Sequence, residues 1–148
     1  MEPTTVAIVT GAVITQEKST KIDDNARIAR DKVVSRIMQC VFVLVPFVAA
    51  LDKFFNLMTY WERYVSPLVL QVLPFPAHQI MVASGPVEML IGILVAVKPR
   101  LGALALAAML FGIMLNLLTM PDQLHIAFLD LSLAVLALSF FLFSRDVV

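Results

Sequence analysis

Four long apolar runs, at residues 37 to 58, 79 to 97, 100 to 119 and 122 to 143, alternate along this chain with shorter polar or proline-bearing stretches. A helix needs about 20 mostly apolar residues to cross a hydrocarbon core of roughly 30 Å, and each run approaches that length. The pattern predicts an all-α membrane protein with four transmembrane helices. Pro99 separates the second run from the third, and Thr119, Pro121 and Asp122 resemble the capped start of the fourth helix. Connections this short make consecutive helices antiparallel neighbours, which gives an up-down bundle.

The connection between the first two runs is longer and holds Tyr60, Trp61, Tyr64, Pro67, Pro74 and Pro76. Rings with a polar edge favour the headgroup layer, so Tyr60 and Trp61 are expected to anchor the outer end of the first span. The run Val69, Leu70, Val72, Leu73, Phe75 is apolar but short and flanked by prolines. It reads as an interfacial or re-entrant piece rather than a fifth span.

The chain divides into an N-terminal arm, residues 1 to 36, and a four-helix transmembrane domain, residues 37 to 148. No cleavable signal peptide is expected, since the opening Met-Glu-Pro lacks a basic region followed by an apolar core and a small-residue site. Residues 5 to 15 are rich in β-branched side chains and too short to span, so they read as a flexible tail or as an extended arm that docks along a neighbour. Residues 16 to 24 are polar and mixed in charge, which suits a solvated linker. From Asn25 to Arg36, apolar Ala26, Ile28, Ala29, Val33 and Val34 intersperse with Arg27, Arg30, Lys32 and Arg36. That mixture predicts a short amphipathic helix at the membrane surface, able to meet anionic lipid or an acidic partner.

Composition strengthens the membrane reading: 60% of residues are hydrophobic and only 15% charged, well away from the balance of a soluble domain. The formal net charge is zero, but the charges are unevenly placed. Lys18, Lys21, Arg27, Arg30, Lys32, Arg36, Lys98, Arg100 and Arg145 fall on one side of the predicted spans and only Lys53 and Arg63 on the other. Basic residues near span ends stay in the cytoplasm, so both termini are expected there, in the inner membrane of a bacterium.

Polar residues inside the spans are the candidate chemistry. Ala49, Asp52 and Asn56 share a face of the first helix, with Lys53 beside them. Ser84, Gly85, Glu88 and Gly92 share one on the second, Ala105, Ala108, Gly112, Asn116 and Thr119 on the third, and Gln123, Ala127, Asp130, Ala134 and Ala137 on the fourth. Small residues let helices approach closely in lipid, so these stripes are expected to face inward. At about 1.5 Å per residue, Asp52 and Asn116 lie near the outer surface and Glu88 and Asp130 roughly 12 to 15 Å below it. An acid in hydrocarbon is a functional candidate because it needs a partner, a proton or water. Two readings are open: Lys53 pairs with Glu88 or Asp130 and fixes helix register, or the cluster binds a ligand or handles protons. The candidate ligand-binding set is Asp52, Lys53, Glu88, Asn116 and Asp130.

Other chemistries have little support. Cys40 is the single cysteine, which excludes an intramolecular disulfide or a Cys-x-x-Cys pair. His78 and His125 fall near the outer interface and read as interfacial hydrogen-bonding groups rather than metal ligands. No phosphate-cradling loop or nucleophile motif is present. No metal and no intrinsic cofactor is expected, and a quinone or lipid at the bundle surface is the candidate bound molecule.

The order of features resembles the DoxX-like membrane proteins. The resemblance rests on Leu51-Asp52-Lys53-Phe54 ending the first span, Gly85-Pro86-Val87-Glu88-Met89-Leu90-Ile91-Gly92 in the second, and Pro99-Arg100-Leu101-Gly102-Ala103 opening the third. It covers approximately residues 33 to 146. It implies a four-helix bundle and, by likeness to some members, a subunit that works on sulfur compounds and passes electrons to quinone. On that implication Glu88 and Asp130 handle protons, while Lys53 and Asn116 orient a quinone head. The first expectation is a non-catalytic accessory subunit of a respiratory or photosynthetic electron-transfer complex, with other integral membrane subunits and lipids as partners and no nucleic acid. The alternative is the membrane subunit of a quinone-linked oxidoreductase, and a small transporter ranks last because four short helices enclose little volume.

Overall fold

The first helix begins far ahead of the first apolar run. A computed structural model describes residues 3 to 144, with side chains described at residue 16 and from residue 20 onward, and in it α1 is continuous over Pro3–Phe55. At 1.5 Å per residue its 53 residues extend about 80 Å, more than twice a hydrocarbon core. The expected linker at residues 16 to 24 and the separate amphipathic helix at 25 to 36 are therefore parts of one helix, and the boundary at residue 36 falls inside it. Residues 16 to 36 contain no glycine or proline, and Asp23, Arg27 and Asp31 stand at four-residue spacings that support a helix without tertiary contacts. The β-branched stretch at 5 to 15 is helical in backbone, not extended. Every residue from Thr20 to Val34 is exposed, whereas Ser35 is buried, so the bundle begins there.

Helix α1 ends at Phe55 because Asn56 turns to φ 50°, a left-handed conformation that asparagine tolerates better than most residues. A 3₁₀ turn, Trp61–Tyr64, and a six-residue helix α2, Pro67–Val72, then cross the end of the bundle. Ser66 caps α2 by accepting from the Val69 amide at 3.3 Å. Six residues are far too few to span, as the flanking prolines predicted. Helices α3, Ala77–Val97, and α4, Pro99–Leu118, meet at Lys98, which ends one and precedes the other. A 3₁₀ turn, Pro121–Gln123, leads into α5, Leu124–Phe143. No side chain caps the start of α5, and Thr119 instead donates to the Asn116 carbonyl at 2.7 Å at the end of α4. The expected Thr119–Asp122 cap is thus replaced by a turn of 3₁₀ helix.

Among the described residues, four helices are long and apolar enough to cross a membrane: Thr20–Phe55 within α1, Ala77–Val97, Pro99–Leu118 and Pro121–Phe143. The protein is an all-α, multi-pass membrane bundle, and its helices pack as two pairs. Helix α1 lies along α3, α4 along α5, and α3 joins the pairs through α4. Close approach of α1 and α3 depends on Gly92, where an added Cβ would stand 2.8 Å from the Phe47 ring. At the α3–α4 turn a Cβ on Gly102 would stand 2.3 Å from the Val95 backbone, a separation no side chain can occupy. The core at this turn end gathers Phe42, Val95, Ala103, Leu106, Ala107, Ala137 and Phe140. Phe42 and Phe140, with ring centroids 5.7 Å apart, bring α1 against α5.

The buried faces of α3 and α5 follow the predicted stripes, with Gly85, Glu88 and Gly92 on one and Ala127, Ala134 and Ala137 on the other. Helix α4 departs from its stripe. It buries Gly102, Ala103, Leu106, Ala107, Met114 and Leu117, while Ala108, Gly112 and Thr119 are exposed. Leucine and methionine fill the space beside α5 better than alanine, so volume sets the rotation of this helix.

Candidate functional site

Toward the loop end the two helix pairs separate. The gap is a cavity of about 690 Å³, within the size range of small-molecule sites. Phe42 and Leu106 lie at its turn end, and Trp61, Tyr64 and Val65 of the long loop at the other. Its walls are almost wholly apolar. Val41 and Val45 on α1 and Leu129 on α5 line it while remaining exposed, so it opens sideways between these helices toward the lipid.

The polar end is built from three helices. The Lys53 ammonium, in the last turn of α1, donates to Glu88 Oε1 of α3 at 2.6 Å. Both side chains are 5% exposed. Lys53 also stands 4.3 Å from the centre of the Trp61 ring, whose electron-rich face stabilises a desolvated cation. Glu88 Oε2 is buried and has no hydrogen-bond partner. Asp130 of α5 lines the same cavity, half-buried, and is close enough to Lys53 and Glu88 to interact electrostatically with both. Of the two partners considered for Lys53, the structure pairs it with Glu88.

Asp52 and Asn116 have other surroundings. Asp52 points away from the cavity: its Oδ1 accepts from the Leu57 and Met58 amides at 2.8 and 2.9 Å, and its Oδ2 accepts from Trp61 Nε1 at 2.7 Å. It is the cap that turns the chain out of α1, and the Trp61 indole N–H donates to it. Tyr60 is 73% exposed, with its ring free to meet the headgroup layer. Asn116 lines the cavity but spends its amide on the loop, accepting from the Ser66 amide at 3.1 Å and donating to the Tyr64 carbonyl at 2.7 Å. The five candidates therefore divide into Lys53, Glu88 and Asp130, which form one polar cluster, and Asp52 and Asn116, which fasten the loop over it.

Trp61 and Ser66 were not among the sequence candidates. A tryptophan nine residues beyond an aspartate has no periodic signature, and the pairing exists only because the chain reverses at Asn56. A second contact fastens the loop to α3: His78 Nδ1 lies 2.8 Å from Glu62 Oε1. The hydrogen bond from His78, with a smaller Coulombic contribution, holds the Glu62 carboxyl below its ordinary range. Among the described residues no three His, Cys, Asp or Glu side chains converge as metal ligands.

The fold and this geometry define a four-helix membrane bundle with a laterally open apolar cavity ending in a buried ion pair. No family model, no curated protein and no solved structure matches the chain.

Proposed function

We propose that this chain is the ligand-holding membrane subunit of an electron-transfer assembly, and that its cavity takes a quinone-class molecule. The observation that carries the reading is the apolar, laterally open cavity whose polar lining includes Lys53, Glu88 and Asp130. A molecule dissolved in the bilayer reaches such a cavity without leaving lipid, and its head meets a lysine donor held in place by a carboxylate. The sequence resemblance to DoxX-like proteins supports the same choice of ligand. The oxidoreductase-linked reading is preferred to a purely structural accessory subunit because an ion pair that only fixed helix register would need no space beside it.

Membership of a larger assembly is supported by α1. Its described segment ahead of Ser35 is exposed throughout and includes Ile22, Ile28, Val33 and Val34, a length of helix that nothing among the described residues covers. Basic residues are concentrated at the end of the bundle that bears this segment and the Lys98 turn, which supports a cytoplasmic location for that end in a bacterial inner membrane. Arg145, counted in that asymmetry, lies outside the described residues.

Trp61 is the single tryptophan of the chain and lines the cavity, so its fluorescence reports on occupancy. Titration of the protein in lipid nanodiscs with a decyl-substituted benzoquinone should give saturable quenching. Gly112→Leu, which projects into the cavity from a position with nothing within 4 Å, should weaken it. Quenching that rises without saturation and is indifferent to this substitution rejects the binding reading. Gentle extraction followed by native separation and mass identification tests the assembly: migration as a lone monomer or homodimer would exclude it.

A further inference from the structure

Two hydrogen-bonding valences at the polar end of the cavity are unused by the protein, and they are complementary. Glu88 Oε1 accepts from Lys53, while Oε2 is buried with no partner. A carboxylate oxygen in that position lacks a donor. Nearby hydroxyls do not supply one: Ser84, which lines the cavity one turn before Glu88, donates to the Met81 carbonyl at 2.8 Å, and Thr59 Oγ1 pairs with the Tyr64 hydroxyl at 3.5 Å. The Lys53 ammonium carries three protons. One is given to Glu88, and the Trp61 face covers one side of the ammonium, which leaves capacity for an acceptor.

A single hydroxyl fills both needs. Oε2 is closed off as the Glu88 side chain stands, so the carboxyl turns toward the cavity as the hydroxyl enters; the hydroxyl oxygen then accepts from Lys53 and its proton goes to Oε2. A carbonyl in the same place accepts from Lys53 but sets its lone pairs against the unpartnered carboxylate oxygen. We propose that the site selects a tailed aromatic hydroxyl, a hydroquinone or phenol, over the corresponding quinone carbonyl. This rests on the quinone-class reading of the cavity and specifies the form that binds best. The tail is required by the opening between α1 and α5, where exposed Val41, Val45 and Leu129 lead from the cavity into lipid.

The test is calorimetric titration of the full chain in nanodiscs with four probes: a decyl-hydroquinone, the matching decyl-benzoquinone, 4-decylphenol and its methyl ether. A hydrogen bond to a buried charged group predicts that the hydroquinone binds at least about tenfold tighter than the quinone, and the phenol at least about tenfold tighter than the ether. Glu88→Gln replaces the unpartnered acceptor with an amide donor, so it should abolish the preference or turn it toward the carbonyl. Equal affinities within both pairs in the unaltered protein overturn the proposal. So does a hydroxyl preference that persists in a Glu88→Gln protein whose Trp61 emission shows it to be folded. A phenol preference with no binding by either member of the quinone pair upholds hydroxyl selection and rejects the quinone-class reading. Binding by none of the four overturns both.

Discussion

Removing the Lys53 ammonium should cost more stability than removing the whole ion pair. The Nζ to Oε1 separation of 2.6 Å corresponds to a gross attraction of about 6 kcal/mol at an effective dielectric near 20. Most of that offsets the desolvation of two groups that are each only 5% exposed. Lys53→Met keeps the aliphatic stem and leaves the Glu88 carboxylate buried alone, a change that costs about 3 to 5 kcal/mol in comparable sites. Glu88→Leu takes the hydrogen-bonded carboxylate from the ammonium and leaves it only the more distant Asp130 as countercharge. The double variant Lys53→Met with Glu88→Leu buries two apolar groups of similar volume and leaves only the half-buried Asp130 without its countercharge, so it should cost less than either single variant. The assay is unfolding by sodium dodecyl sulfate in mixed micelles, followed by far-ultraviolet circular dichroism, completed as a double-mutant cycle. The double variant should be more stable than either single variant by at least about 2 kcal/mol. Two single variants within about 1 kcal/mol of wild type, with strictly additive effects, would refute the buried pair and the cavity argument built on it.

Gly102→Ala places a Cβ 2.3 Å from the Val95 backbone and should cost at least about 3 kcal/mol, seen as loss of folded protein on size-exclusion chromatography, whereas Gly112→Leu should elute normally. Asp52→Ala removes the acceptor of two amides and the Trp61 indole; a cost of about 1 to 3 kcal/mol and red-shifted Trp61 emission are expected, and unchanged emission would reject the cap. Because the folded pKa of Glu62 is lowered, its stabilising contribution is complete above the ordinary glutamate value of about 4.3 and is lost as pH falls through the lowered folded value. Thermal unfolding followed through that acidic window should therefore show a decline that His78→Gln reduces, and identical curves for the two proteins would dismiss the contact.

The four spans were legible because membrane helices are constrained by one simple quantity, the length of apolar sequence, and every predicted end except the start of the first run lies within three residues of a described helix end. Glu88 and Asp130 were legible for a related reason, since an acid within such a run has few places to go. The projection of α1 was not. A polar stretch such as residues 16 to 36 is equally compatible with a solvated linker, and the decision rests on the absence of any glycine or proline between Gly11 and Pro46. The rotation of α4 was missed because alanines and glycines mark two of its faces, and only the volume available beside α5 distinguishes them. Asp52 was placed correctly near the end of its helix, but its place in the candidate ligand-binding set gave no sign that it caps the turn out of α1. Its amide and indole donors come from residues that follow a left-handed turn, which no helical spacing describes.

The division of the five polar candidates follows from how the bundle separates into pairs. Gly92 draws α1 onto α3, and Ala127, Ala134 and Ala137 draw α5 onto α4, while Gly102 and the Phe42–Phe140 contact hold the two pairs together only at the turn end. Nothing comparable holds them at the loop end, where the cavity lies. There the loop itself is the tie: it is fixed to α1 through Asp52 and Trp61 and to α4 through Asn116, Ser66 and Tyr64. Asp52 and Asn116 thus control the width of a cavity whose polar chemistry belongs to Lys53, Glu88 and Asp130. Asn116→Ala should accordingly weaken every tailed ligand by a similar factor and leave the ratio between hydroxyl and carbonyl probes intact, whereas Glu88→Gln changes that ratio. A shift in the ratio on loss of the Asn116 amide would place this side chain at the ligand head and overturn the assignment of separate roles.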